Sequence, residues 1–99
     1  MNVFVIQDPK EKNLQPATDY GALTVMLTGR ETTAQATAKL AERLKHFTPE
    51  DFILLIGNPV FMAIAIMIAS RVTREQRRQL QLLVWNREHY KYDLERIYA

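Results

Sequence analysis

The sequence contains no cysteine and only two histidines, His46 and His89. Disulfide scaffolds and thiolate metal centres are thereby excluded. A histidine-based zinc site would need carboxylate help. Glycine is scarce, with three residues, and neither G-x-G-x-x-G nor G-K-[ST] occurs, so the glycine-rich phosphate loops are missing. An excess of one charge is missing too. Thirteen basic and eleven acidic side chains leave +2, too little by itself to imply a nucleic-acid partner. The N-terminal MNVFVIQDP has no basic region and no long apolar segment, which predicts no secretory leader. There is no internal repeat and no low-complexity tract.

What is present fits a single α/β domain spanning residues 1–99. Of these residues 47% are hydrophobic and 24% charged, the balance of a globular chain. A domain this short must fill its core well. The charge is unevenly spread. Residues 1–70 hold six basic and seven acidic groups, and residues 71–99 hold seven and four. Arg71, Arg74, Arg77 and Arg78 supply most of that excess.

Phe52 to Ser70 is a run of nineteen residues without a charge. About 20 apolar residues cross a bilayer, so a membrane span must be weighed. Gly57-Asn58-Pro59 divides the run. Proline fixes its own φ and turns the preceding residue away from helical geometry. The run therefore predicts a short buried strand, 52–56, and a helix from Pro59 to about Val72, each too short to span.

The remaining elements follow from periodicity. Residues 1–7 are apolar on both faces, which predicts a central strand. Residues 8–21 form a long loop, pinned by Leu14, Ala17 and Tyr20. Residues 22–28 alternate as a strand. Thr32 and Gln35 have capping-box spacing, and the helix they open runs to about Phe47. Its predicted buried stripe is Ala34, Leu40, Ala41, Leu44 and Phe47, with Thr37 on the same face. Residues 79–85 and 90–98 form a terminal antiparallel hairpin around a turn at 86–89. The order is β-β-α-β-α-β-β, giving one mixed sheet of about five strands with two helices.

Short motifs carry a resemblance. Leu54-Leu55-Ile56-Gly57-Asn58-Pro59, then Leu83-Val84-Trp85-Asn86-Arg87 and Tyr90, with Asn13-Leu14, Pro16-Ala17 and Tyr20-Gly21 upstream, resemble a group of small uncharacterised bacteriophage proteins. The resemblance implies a phage origin and a host-cell cytoplasmic setting. It carries over no activity, cofactor or catalytic residue.

Three surfaces are candidates. The helix from Pro59 is apolar all round, so a face of it should meet another chain or a mobile part of this one. Phe61, Ile64, Met67 and Ile68 are the expected interface of a homodimer or higher oligomer, and a host protein is a further expected partner. Arg71, Arg74, Arg77 and Arg78 are suited to phosphates, and Trp85, Tyr90, Tyr92 and Tyr98 to base stacking. The bland reading is that the arginines solvate a helix end and favour its dipole, while the aromatics pair across the hairpin. Gly57 and Asn58 open a helix whose free N–H groups suit an anion. The bland reading there is a tight turn, an N-cap and a first-turn proline. Asp8, Asp19 and Asp51 have no metal-ligand spacing, and neither histidine has a nucleophile beside it. The expectation is a non-enzymatic binding protein without metal or cofactor.

Overall fold

A computed structural model describes residues 1–10, 12–76 and 79–98. Along it run β1 (Asn2–Gln7), a 3₁₀ turn (Gln15–Asp19), β2 (Ala22–Leu27), α1 (Thr33–Arg43), β3 (Phe52–Leu54), α2 (Pro59–Thr73), β4 (Gln79–Asn86) and β5 (Lys91–Tyr98). The expected order holds. The 3₁₀ turn is new, and it gives the long loop an ordered centre. Asn13 Oδ1 accepts from the Gln15 N–H at 2.9 Å, and Pro16 sits at its start.

All five strands lie in one mixed sheet, in the order β2-β1-β3-β4-β5. β1 pairs parallel with β2 and β3, β3 pairs parallel with β4, and β4–β5 is the antiparallel hairpin. From β1 the chain steps one way to β2, and from β2 through β3 to β4 it steps the other way. Crossovers of one hand must then lie on opposite faces of the sheet. The 3₁₀ segment accordingly covers one face, and α1 and α2 cover the other.

β1 is buried on both sides, as its sequence predicts. Phe4 and Ile6 join the helix-side core with Leu40, Leu44, Phe61 and Ile68. Val3 and Val5 join the opposite core with Ala17, Phe52, Leu54, Leu83 and Tyr92. Among the described residues no helix is long and apolar enough to cross a membrane. The apolar run breaks at Gly57-Asn58-Pro59 into β3 and α2.

Two details of the helices differ from expectation. α1 ends at Arg43, and a turn bonding the Phe47 N–H to the Leu44 carbonyl at 3.0 Å keeps Phe47 inside. Its buried stripe is Ala36, Leu40, Leu44 and Phe47, while Ala34, Thr37 and Ala41 are exposed. Alanine scattered along α1 carries little hydrophobic signal, so only the large residues fix the face. α2 is not buried all round. Phe61, Ala65, Ile68 and Ala69 face the core, whereas Val60, Ala63 and Met67 face solvent.

Candidate functional site

The sheet reverses direction between β1 and β3, and the carboxyl ends of those strands are where open α/β sheets take ligands. Here Gln7 occupies that crevice. Its Oε1 accepts from the Asn58 N–H at 3.0 Å. The chain passes so close to it that a Cβ at Gly29 (φ 99°) or Gly57 (φ 103°) would meet the Gln7 side chain and displace it. Asn58 caps α2, its Oδ1 accepting from the Val60 N–H at 2.8 Å, and Pro59 takes the first helical turn. Of the expected anion donors, Gly57 and Asn58, the Asn58 amide is thus already given to a side chain of the chain itself, as is the neighbouring Val60 amide.

Two carboxylates brace the ends of the sheet. At the carboxyl end, Glu31 accepts from the N–H groups of Thr28 and Gly29 and from Lys39 Nζ, each at 2.9 Å. Its side chain is 3% exposed. Withdrawal from water favours its protonated form. The Thr28 amide, Lys39 and the Gly29 amide outweigh this and hold the carboxyl well below the usual carboxylate range. At the amino end, buried Asp51 accepts from the N–H groups of Asn2 and Thr48, each at 3.0 Å, and from the Thr48 hydroxyl at 3.1 Å. Asp8 follows β1 at its far end, so Asp8 and Asp51 do not converge. Among the described residues no group of three or more His, Cys, Asp or Glu side chains is placed to hold a metal ion. His46 and His89 are both exposed.

Arg71 and Arg74 lie apart from Trp85, Tyr90 and Tyr92, whereas exposed Tyr98 pairs with Gln79 at the end of the sheet that α2 leads into. Arg71 and Arg74 are exposed at the end of α2 that leads into the start of β4. Trp85 lies at the other end of β4, about 20 Å away at the rise of a strand. It belongs to the core opposite the helices. Arg77 and Arg78 lie outside the described residues. Tyr90 and Tyr92 both pair with Trp85. Trp85 stands opposite Tyr92 across the hairpin, with ring centroids 5.0 Å apart and edge to face. Tyr90 sits in the turn at φ 51° and is 76% exposed, with its ring centroid 6.4 Å from that of Trp85. Burial pushes the Tyr92 phenol up. A cleft of about 160 Å³ separates Trp85 and Tyr92 from Lys12 and Asn13.

The expected oligomer residues divide between core and surface. Phe61 and Ile68 are 3% and 7% exposed, and the chain's own core takes them. Spaced seven residues apart, they share the helix face turned to the sheet. Ile64 is half-buried, and Met67 is 51% exposed. Of the apolar residues of α2, Val60, Ala63 and Met67 are exposed, with Ile64 half-buried beside them. On the same side of the sheet, Val84 and Ile97 continue the rows of Leu82 and Leu80 and stay 38% and 40% exposed.

Sequence reasoning passed over Gln7 and Glu31, and weighed Asp51 only as a metal ligand, not as a brace. Thr48-x-x-Asp51 has the spacing of a capping box, a readable signal. Gln7 and Glu31 act through loops distant in sequence or through backbone amides, and no spacing marks them.

No curated protein and no solved structure matches this chain. A comparison with protein families matches residues 1–97 to the Phage Pam3 gp32-like protein family. The motifs that pointed to a phage protein and the fold that carries them therefore meet in one assignment: the chain belongs to the Phage Pam3 gp32-like protein family.

Proposed function

We propose that this protein is a non-enzymatic phage protein that works in the host cytoplasm by binding another protein through the outer face of α2. One observation carries the reading. No charge occurs in α2 before Arg71, yet Val60 and Met67 are each 51% exposed. Apolar side chains held out on a rigid helix are what a protein partner covers. Val84 and Ile97 enlarge the apolar area beyond the helices. A stable interface takes about 20–30 residues a side, so this strip forms the centre of a partner's footprint. The separation of Arg71 and Arg74 from Trp85, Tyr90 and Tyr92 favours a protein over a nucleic acid.

The test is affinity capture from host lysate, with and without nuclease, using the native chain and Met67→Glu. A protein retained by the native chain, insensitive to nuclease and lost with Met67→Glu supports the reading. Capture that nuclease abolishes, or that Met67→Glu leaves unchanged, overturns it. The side chain of Met67 is half in water, so the variant keeps its fold.

A further inference from the structure

The two edges of the sheet are built differently. β5 carries Lys91, Asp93, Glu95 and Arg96, and edge charges discourage pairing with other chains. β2, the opposite edge, reads Ala22-Leu23-Thr24-Val25-Met26-Leu27, with no charge and no proline. Its phase is set by the bond from the Asp8 N–H to the Leu27 carbonyl, at 2.8 Å. Leu23, Val25 and Leu27 turn their peptide groups to β1. Alternation turns those of Ala22, Thr24 and Met26 outward. Among the described residues no hydrogen bond reaches these outward groups.

We propose that β2 pairs with β2 of a second copy, antiparallel about a two-fold axis at Thr24, so that two sheets become one. Thr24 opposite Thr24 and Ala22 opposite Met26 engage every outward group. A register two residues further along would set Ala22 against Thr28, whose N–H is already given to Glu31 Oε2 at 2.9 Å. Charge selects the antiparallel sense. Asp19 precedes β2 and Arg30 follows it. A reversed copy brings the basic end of one strand to the acidic end of the other, whereas a parallel copy aligns like with like. The pairing also sets Val25, which is 43% exposed, opposite Leu23 of the second copy. It uses none of the outer face of α2, so either proposal stands if the other falls.

Light scattering of the full chain should give twice the 11.5 kDa of one copy. The Thr24 and Met26 amides should show hydrogen-exchange protection that rises with concentration. Thr24→Lys sets two ammonium groups opposite each other at the axis and should return the mass to one chain, with Trp85 fluorescence unchanged. Thr24→Glu should do the same, and mixing the two variants should restore the doubled mass. If either variant fails to fold, amide protection in the native chain decides. A single-chain mass for the native protein, a doubled mass that neither variant alters, or a doubled mass with unprotected Thr24 and Met26 amides overturns the proposal.

Discussion

The two faces of the sheet bury similar strands by different means. On one, α1 and α2 lay down Ala36, Leu40, Leu44, Phe61 and Ile68 at helical spacing. Among the described residues the other has only a loop with a 3₁₀ turn. That cover is held by fully buried Ala17 and by the Tyr20 ring, edge-on to Phe52 at 5.3 Å. The Tyr20 hydroxyl donates to the Tyr92 carbonyl at 3.1 Å. A helix supplies cover through its period, so the load is spread along it. A loop has no period and depends on a few specific contacts.

The contrast can be broken by substitution. Phe47→Ala on the helix side, where Phe4 meets the Phe47 ring at 5.5 Å, should cost about 3–5 kcal/mol, the range for a large buried ring. Urea unfolding should show this as a lower midpoint with one transition. Tyr20→Ala should cost about 2 kcal/mol, since that ring is half-buried. Its effect should be local, with proteolytic cleavage in residues 8–21 preceding any loss of helix. Cleavage of the helices at the same rate would show that the two covers are not independent.

Asp51→Ala tests the floor that both faces share. It strips the partners from the Asn2 and Thr48 amides. A loss of about 1–3 kcal/mol is expected in the same unfolding experiment. The smallest effect concerns pH. Glu31 has a lower pKa folded than its ordinary value of 4.5. Its contribution is therefore full above that value and declines as pH falls below it. In Glu31→Gln the gap in midpoint from the native chain should narrow on acidification. A gap that stays constant from neutral pH to below pH 4.5 would show that Glu31 contributes no ionised brace.

Much of this fold is legible in the sequence. The break at Gly57-Asn58-Pro59, the Thr32–Gln35 capping box and the two-faced β1 each depend on residues close together in the chain. The capping box forms with both bonds, Gln35 N–H to Thr32 Oγ1 at 3.1 Å and Thr32 N–H to Gln35 Oε1 at 2.9 Å. The face of α1 was legible only through its large residues. The candidate sites fared unevenly. Asn58 is the N-cap that its sequence allows, whereas Phe61 and Ile68 are taken by the core.

The sequence by itself determined which segments are strands and helices, where the long apolar run divides, and that the last two strands return on each other. These are local matters, settled by side-chain period, proline geometry and capping within a few residues. Only the tertiary structure decided that β1 lies between β2 and β3, that Gln7 fills the crevice between Gly29 and Gly57, and which half of α2 meets water. Those outcomes depend on which distant segments come to lie side by side. Neighbours brought together by packing leave no fixed spacing in the chain to be read.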